Sequence, residues 1–516
     1  MIKIIMDRLK GENGMFRVGF DNEKYLKLQS QRILERVEKF GGKLYLEFGG
    51  KLFDDFHAAR VLPGFCPDSK MRMLLQLKEQ AEVVLVINAE DIEKSKRRGD
   101  LGITYDADTM RLIDAFRGYG IYVGSVVMTR YAQQKAADLF RRRLEARQVP
   151  VYCHYSIAEY PNNLQVIFSQ EGFGKNDYIQ TSRPVVVVTA PGPGSGKMAT
   201  CLSQLYHENL RGIKAGYAKY ETFPVWNLPL KHPVNLAYEA ATADLSDVNM
   251  IDPFHLDAYG ETTVNYNRDI EIFPVLEAMF RQIYGECPYK SPTDMGVNMC
   301  GYAISDDEVC REASRQEIIR RYFATAYKDK SGIAQPGELQ KIEMLMNGLS
   351  LTPEMRRCVP AAKAAEERTG GPAVAIELPD GTMITGKTSK LMGASCAALL
   401  NALKFLAGID DRKDIIDGAV LTPIQNLKTG YLGNHNPRLH TDEILIALAM
   451  SAVTSPVAAK AMDALSGLKG SELHSTVVLA SVDEGVFRKL GVNVTCEPLQ
   501  QVKKLFHDDD EREKEE

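Results

Sequence analysis

The chain has 516 residues, 45% hydrophobic and 25% charged, which allows two to four domains with substantial cores and is typical of a soluble globular protein. Its formal net charge of -5 comes from the last nine residues, DDDEREKEE, which hold seven acids and two bases. The rest of the chain is therefore balanced in charge, which argues against a nucleic-acid binder.

The sequence lacks the patterns that are typical of membrane, secreted and zinc-binding proteins. No stretch approaches the roughly 20 apolar residues of a membrane span, and the charged start MIKIIMDRLKGENG is not typical of a signal peptide. The nine cysteines are scattered and form no Cys-x-x-Cys pair, which favours reduced thiols over a structural zinc site. We therefore expect a cytoplasmic protein that uses no membrane, zinc or haem.

The first elements predict a helix near residues 23–40 and then a strand, KLYLEF, followed by Gly49-Gly50-Lys51. A strand that runs into two glycines and a lysine predicts a second anion-binding turn. Asp54 and His57, just behind it, would share a helix face. The alternative is that the glycines only end the strand and that the polar residues lie at the surface.

Strands and helices then alternate to about residue 182, which predicts a parallel, doubly wound sheet. The loop KSKRRGD, residues 94–100, carries four bases that would clamp phosphates or, alternatively, form a solvated turn. Gly172, Gly174 and Lys175 follow a strand, at the edge where open parallel sheets bind ligands.

The run PVVVVTAPGPGSGKMATCLSQLYHENLRG, residues 184–212, predicts a buried strand, a glycine-rich turn and an amphipathic helix that ends at Gly212. This order brings backbone N–H groups, a helix N-terminus and a lysine to one point, as phosphate binding requires. The residues predicted to hold the phosphates are Gly192, Gly194, Ser195, Gly196 and Lys197.

The match to a P-loop is incomplete at two positions. Pro191 stands where the pattern has Gly or Ala, and Met198 stands where it has the Ser or Thr that binds Mg²⁺. A tight structural turn is therefore the alternative to phosphate or nucleotide binding. Asp252, which ends the short hydrophobic run VNMID, is the candidate Mg²⁺ ligand that would replace the missing hydroxyl.

Polar residues after the turn predict the rest of an active site. Lys231 and His232 follow the only tryptophan, and Arg268 lies in the polar run NYNRD ahead of an apolar helix. Lys219 and Asn267 are expected beside them, around the substrate. The alternative for residues 267–269 is a capped helix start. The predicted catalytic residues are Lys197, Lys231, His232, Asp252 and Arg268.

The predicted fold is α/β with several subdomains, built on a doubly wound, mostly parallel sheet that carries the P-loop-like turn. His440 and His474, near the C-terminus, are interpreted as surface or loop histidines. The predicted parts are an N-terminal α/β domain (1–182), a phosphate-binding α/β region (183–305), a helical region (306–370), a C-terminal α/β domain (371–506) and a disordered acidic tail (507–516).

Long strings such as LYLEFGGKLFDDFHAARVLPGF, TAPGPGSGKMATCLSQLYHE and GYAKYETFPVWNLPLKHPVNLAYEAATADL resemble a bacterial family of unknown function. It is domain-of-unknown-function family 1846, also called uncharacterised protein family 0371, and the resemblance covers nearly the whole chain. It implies a bacterial cytoplasmic protein of several α/β subdomains. Its C-terminal part would be similar in topology to the cytidine deaminase-like fold, without that fold's zinc motif. The resemblance transfers no catalytic residues.

The residues favour a nucleotide-dependent enzyme that uses ATP and Mg²⁺ to activate or phosphorylate a small metabolite. One alternative is an enzyme that acts on a phosphorylated metabolite without hydrolysing a nucleotide, which Met198 favours. The other is a non-catalytic protein that senses a phosphate ligand. The expected partner is a small phosphate-bearing molecule, not nucleic acid or a membrane, and the chain is expected to form a homo-oligomer.

Overall fold

The structure is a computed structural model, and it describes residues 18–49, 51–99, 101–245 and 247–500. Gly50 of the second glycine turn, Asp100 of the basic loop and the acidic tail, residues 507–516, lie outside these residues. Within them the chain forms two compact units, Val18–Ser314 and the part that follows from Arg315.

The first unit alternates strands with helices along most of its length. Its elements are α1 (Asn22–Lys39), β1 (Leu44–Phe48), α2 (Phe56–Val61), α3 (Ser69–Gln76), β2 (Ala81–Asn88), α4 (Ala89–Glu93), α5 (Tyr105–Gly118), β3 (Tyr122–Thr129), α6 (Lys135–Glu145), β4 (Val151–Cys153), α7 (Leu164–Ile167), β5 (Val185–Thr189), α8 (Lys197–Leu210), β6 (Gly216–Tyr220), α9 (Pro233–Ala241), β7 (Asn249–Ile251), α10 (Pro253–Tyr259), β8 (Val264–Tyr266), α11 (Asn267–Tyr284), α12 (Pro292–Met295), β9 (Gly296–Val297) and the start of α13 (Asp307–Lys330).

Seven strands of this unit form one sheet, in the order β4-β3-β2-β5-β1-β6-β9. Each neighbouring pair runs parallel, so the carboxyl ends of all seven strands meet at one edge. Strands from both sides of residue 182 therefore belong to the same sheet. β7 and β8 lie outside it and form a separate antiparallel pair.

The hydrophobic runs explain the central position of β2 and β5. Every residue of AEVVLVIN and of VVVVT is buried, as expected for parallel strands that are covered on both faces. On one face Val186 and Val188 share a core with Leu202 of α8 and Phe273 of α11. Helices α8 and α11 therefore cover the face of the sheet on which the glycine-rich turn leads into α8.

The second unit is built on a four-stranded sheet in the order β11-β10-β12-β13. Only β12 and β13 run parallel, while β10 is antiparallel to both of its neighbours. After α13 its elements are α14 (Glu338–Gly348), α15 (Cys358–Thr369), β10 (Ala373–Glu377), β11 (Met383–Lys387), α16 (Ala394–Leu406), α17 (Gly418–Asn426), α18 (Thr441–Ser451), α19 (Pro456–Asp463), β12 (Glu472–Ser475), α20 (Ser481–Lys489) and β13 (Asn493–Cys496).

The architecture confirms the predicted mixed α/β class at the level of its sheets. A large parallel sheet precedes a separate C-terminal sheet, and the segment between them carries α13, α14 and α15. None of the helices in the described part of the chain is long and apolar enough to cross a membrane.

Candidate functional site

The glycine-rich turn, residues 190–196, lies where the topology of the sheet opens a crevice. Strands β2 and β5 are neighbours, but the chain leaves β2 towards β3 on one side and leaves β5 towards β6 on the other. Open α/β sheets bind ligands outside the carboxyl ends of two strands whose connections diverge in this way. The turn follows β5 directly, so it borders this crevice.

Three glycines allow the backbone path of the turn. Gly194 and Gly196 have φ angles of +73° and +90°, in the left-handed region that side chains disfavour. A Cβ atom on Gly192 would lie 2.3 Å from the hydroxyl oxygen of Tyr105, the first residue of α5. The turn therefore packs directly against α5, the helix that leads into β3.

The turn delivers the N-terminus of α8 without a capping side chain. The N-cap is Gly196, and no side chain caps the helix, which begins at Lys197. The Thr129 hydroxyl at the end of β3 donates to the carbonyl of Ser195 over 2.6 Å, which anchors the turn. The first N–H groups of a helix need acceptors and carry partial positive charge, so this N-terminus suits an anion.

Two buried hydroxyls flank the same turn. Thr189 and Ser195 are 1% and 2% exposed, and neither Oγ atom has a hydrogen-bond partner among the described residues. Leaving a buried hydroxyl unpaired costs about 1–3 kcal/mol, and such groups are rare in native structures. They are expected where a bound ligand completes the hydrogen bonding.

Three cationic side chains lie near the turn, and they differ in whether they are paired with other side chains. Lys197, half-buried, forms no salt bridge or hydrogen bond with the described residues. Lys96 of the basic loop lies 5.2 Å from the ring centre of Tyr105 and 3.3 Å from Asp91. Arg130, directly after β3, lies 3.6 Å from Glu90. Lys197 is therefore the cation that is open to a ligand at the turn.

A partly buried charge cluster occupies the same edge two strands away. Lys219 of β6 is in register with Glu47 of β1, which is in register with Val188 of β5. Neighbouring strands lie about 4.8 Å apart, so the Cα atoms of Lys219 and Val188 are about 10 Å apart. The Lys219 ammonium contacts Glu221 at 2.9 Å and also contacts Asp269 at the start of α11.

The pKa values of Lys219 and Glu221 are both raised, which keeps the lysine charged and favours the neutral form of the glutamic acid. Burial alone would lower the pKa of Lys219, but the carboxylates of Asp269 and Glu221 outweigh it and raise that pKa, so the ammonium stays charged. Burial raises the pKa of Glu221 to about 7, against the opposing effect of Lys219. The Oε2 atom of Glu221 has no hydrogen-bond partner among the described residues. Glu221 is therefore a buried carboxyl group that can exchange a proton near neutral pH.

Asp252 lies outside this constellation. It follows β7, which is not part of the large sheet, and it caps α10 by accepting from the N–H groups of Phe254 and His255. Its second oxygen accepts from the N–H and the hydroxyl of Thr293, at 3.2 and 2.6 Å. Because both oxygens are engaged inside the protein, we assign Asp252 to helix capping and not to Mg²⁺.

The other predicted catalytic residues are also held in structural contacts or lie apart. His232 is buried, caps α9, and its Nε2 lies 2.9 Å from Asp307. Arg268 forms a bidentate ion pair with Asp247, at 2.6 and 2.8 Å. Lys231 is exposed, and no described contact connects it with the turn. Of the predicted catalytic set, the structure therefore places only Lys197 at the turn.

Residues of the second glycine turn and of the basic loop are also held in contacts within the protein. At the second glycine turn, the His57 ring packs against Phe223 and Tyr238, with ring centres 5.4 and 5.5 Å apart. In the basic loop, Arg98 pairs with buried Asp108 at 3.0 Å. These contacts fix both segments beside the sheet edge, and only Lys96 of the basic loop reaches a residue that touches the turn.

Sequence reasoning missed two residues that shape the turn, Thr129 and Tyr105. Thr129 ends a strand of the parallel sheet, a position that shares the ligand-binding edge. That location was a usable signal. Tyr105 begins a helix after the basic loop, and no local pattern indicates that it reaches Gly192.

One protein family, represented by two family models and by relatives from two Streptococcus species, matches the chain over most of its length. A family model described as "Domain of unknown function DUF1846, N-terminal" matches residues 18–350, and its C-terminal counterpart matches residues 354–506. The UPF0371 protein str1377 of Streptococcus thermophilus (strain CNRZ 1066) is 60% identical over 492 residues, 95% of this chain and 100% of the relative. UPF0371 proteins of Streptococcus pneumoniae strains Hungary19A-6 and JJA match with the same identity and coverage. These matches confirm the resemblance expected from the sequence.

Proposed function

The chain belongs to the DUF1846 family, and from the geometry of its site we propose that it is an enzyme that acts on a small molecule through a phosphate held at the glycine-rich turn. The observation that carries this proposal is the N-terminus of α8, whose N-cap residue is a glycine and which lies beside two buried hydroxyls, Thr189 and Ser195, that have no hydrogen-bond partner among the described residues. In the leading form of the proposal the phosphate belongs to ATP, and a small metabolite is activated or phosphorylated.

The turn would bind the phosphate with groups that lie at the start of α8 or beside it. Backbone N–H groups at the start of α8 donate to phosphate oxygens, and the Thr189 and Ser195 hydroxyls complete the hydrogen bonding. The Lys197 ammonium supplies a full positive charge. Bound ATP would supply a transferable phosphoryl group, and its transfer depends mainly on positioning and positive charge. The strand, turn and helix are P-loop-like in this proposal.

The Lys219 cluster would act on the second substrate. It lies at the same edge as the turn and contains a carboxyl group, Glu221, one oxygen of which has no hydrogen-bond partner among the described residues. In this proposal Glu221 accepts a proton from the substrate group that attacks, and the Lys219 ammonium limits the build-up of negative charge. A pure sensor needs no buried proton acceptor, so this cluster supports an enzyme over a non-catalytic binding protein.

The residues present do not fit Mg²⁺ at the position expected from the sequence. Met198 offers no oxygen where a P-loop has a hydroxyl. Both carboxylate oxygens of Asp252 accept hydrogen bonds, one from the first turn of α10 and the other from Thr293. We therefore assign no step to Mg²⁺. The same observation favours the second candidate function, an enzyme that binds a phosphorylated metabolite and hydrolyses no nucleotide.

The fold and setting of the second unit belong to the proposal as well. The order helix α15, hairpin β10–β11, helix α16 and a later parallel pair β12–β13 supports a topology similar to the cytidine deaminase-like fold. We propose a bacterial, cytoplasmic homo-oligomer with no nucleic-acid or membrane partner. The nine cysteines are all free thiols, in keeping with a reducing compartment. Light scattering on the eluting full-length protein measures the oligomeric state.

Isothermal titration of the full-length protein with ATP, ATP plus Mg²⁺ and a panel of phosphorylated sugars and nucleosides tests the proposal. The Lys197→Ala variant should bind about 10–100-fold more weakly, since a hydrogen bond from a charged group contributes about 1.5–3 kcal/mol. Exposed Lys231→Ala is the matched control and should bind as the parent does. Binding of ATP selects the leading form, and binding of a phosphorylated metabolite alone selects the second. Equal binding by the parent and Lys197→Ala would overturn both.

A further inference from the structure

The second unit contains a pocket of its own, at the carboxyl end of β12. It lies between the starts of α16 and α20 and the loop that leads into α18. Its polar lining comes from elements far apart in sequence. The side chains that matter here are Ser395, Asn436, Arg438, His440 and Asp483.

The backbone around this pocket favours negative charge. Helix α16 begins after Gly393 and α20 begins after Ala480, and neither N-cap residue caps its helix with a side chain. Both N-cap residues line the pocket. Two helix N-termini therefore bring uncapped N–H groups and partial positive charge to one cavity.

Asp483 is the only carboxylate among the residues that line the pocket, and its oxygens are engaged within the protein. One oxygen accepts from the N–H and the hydroxyl of Thr441, at 2.8 and 2.9 Å. The other accepts from the Ser395 hydroxyl at 3.1 Å and lies 3.4 Å from Nδ1 of His440. Burial opposes ionisation, but the hydrogen bonds from His440 and Thr441 lower the pKa of Asp483 overall, so it stays charged.

His440 is the titratable cation of the pocket. The hydrogen bond to Asp483 raises the pKa of His440, with partial burial acting against it, Lys428 lowering it and Glu443 raising it. Lys428 is itself paired with Glu443 at 2.8 Å. The ring nitrogen Nδ1 faces Asp483. The other ring nitrogen, Nε2, has no hydrogen-bond partner in the described part of the chain. That nitrogen is left for a ligand.

The arrangement fits binding better than nucleophilic catalysis. In a Ser-His-Asp triad the histidine lies between the serine and the carboxylate. Here Ser395 and His440 both contact the same oxygen of Asp483 and not each other. The serine is therefore not paired with the histidine as in a triad, and both side chains are held in place by the carboxylate.

We propose that this pocket is a second small-molecule site, which binds an oxyanion group, a carboxylate or a phosphate monoester. The donors are the Nε2–H of the His440 imidazolium, the N–H groups at the starts of α16 and α20, and the guanidinium of Arg438, whose Nε also donates to the carbonyl of Ser389 at 2.9 Å. Asp483 positions His440 and raises the pKa of its ring. Affinity for a given ionic form of the anion falls as the pH rises through the pKa of His440, because the neutral ring loses its positive charge.

Nuclear magnetic resonance of the full-length protein with ¹³C-labelled histidine tests the site. Inorganic phosphate and acetate are added in separate titrations, with chloride at the same ionic strength as the reference. The His440 signal, assigned by its loss in His440→Gln, should shift with saturation and titrate at higher pH in the presence of the bound anion. The anion that saturates at lower concentration identifies the preferred group. Exposed His435, in the same loop, is the control and should follow chloride.

Two variants separate this site from the glycine-rich turn. In Lys197→Ala the response of His440 to anions should be unchanged, whereas Arg438→Gln should weaken it about 10-fold, as expected for the loss of a charge-assisted hydrogen bond. The proposal is overturned if His440 responds to phosphate and acetate only as it does to chloride. It is also overturned if the response disappears in Lys197→Ala or is unaltered in Arg438→Gln.

Discussion

The starts of α8 and α10 differ in whether a side chain accepts from the first N–H groups of the helix. Each helix follows a short strand and was expected from the sequence to hold part of a ligand. At α10 the Asp252 side chain accepts from two N–H groups of the first turn and from Thr293. At α8 the corresponding residue is Gly196, which has no side chain to accept with, and the Ser195 hydroxyl beside it is unpartnered among the described residues.

Under the proposed function, the hydrogen bonds of each helix start separate a structural cap from a binding site. A helix start whose donors and capping group satisfy one another has nothing left for a ligand. The same accounting separates two carboxyl groups. Asp252 uses both oxygens within the protein, whereas Oε2 of Glu221 has no partner within the described residues. The predictions below test this distinction, beginning with the largest expected effect.

Asp252→Ala should lower the free energy of unfolding by about 3 kcal/mol without weakening phosphate binding. The substitution removes a helix cap, which contributes about 1 kcal/mol, and leaves the buried groups of Thr293 without their acceptor. Urea denaturation measures the stability, and titration with the ligand identified for the turn measures the affinity. Asp257→Ala, an exposed position on the same helix, should change neither. Weaker binding with unchanged stability would place Asp252 in the site after all.

Gly192→Ala should reduce phosphate affinity about 10–100-fold. The new Cβ would lie 2.3 Å from the Tyr105 hydroxyl oxygen and 2.5 Å from the adjoining ring carbon, and overpacking of this kind costs about 1–3 kcal/mol. The turn or Tyr105 must move, which displaces the N–H groups at the start of α8. Titration calorimetry is the measurement.

Gly212→Ala is the matched control for that substitution at the other end of α8. Gly212 has a φ of +71° and open space around its Cα, so alanine adds backbone strain without a collision. Stability should fall by about 1 kcal/mol, and affinity should not change. Equal affinities for Gly192→Ala and the parent would show that the path of the turn is not needed for binding.

Glu221 should titrate near pH 7, because burial raises its pKa to about 7. At pH 5 the group should be protonated, and as the pH rises through 7 it should become the carboxylate that can accept a proton. Infrared spectra record this change as the loss of the carbonyl band of a buried acid, and Glu221→Gln should remove the band from the difference spectrum. A spectrum that is unchanged by the substitution would assign the titration to another group and remove Glu221 from the proposed chemistry.

The sequence predicted the parts of the site that depend on local order. The strand β5, the turn and the helix α8 follow from adjacent residues, and so does the position of Lys197 at the first turn of the helix. The roles of Asp252, His232 and Lys219 depend on partners 41, 75 and 50 residues away. Such partners are fixed by tertiary packing, which local sequence does not indicate, and so the helix caps formed by Asp252 and His232 could not be predicted.

Ser195→Ala is expected to have the smallest effect on stability, and it tests the accounting most directly. Removing a buried hydroxyl without a partner should leave the unliganded protein unchanged or up to about 1 kcal/mol more stable, while phosphate affinity falls about 3–10-fold with the loss of one hydrogen bond. Ser203→Ala, in the helix α8 that follows the turn, removes a hydroxyl that accepts from Asn176 at 3.0 Å. That variant should lose about 1 kcal/mol of stability and keep its affinity. Paired denaturation and titration measurements separate the two serines. If Ser195→Ala behaves as Ser203→Ala does, the Ser195 hydroxyl is structural, and the start of α8 loses the observation that distinguishes it from the start of α10.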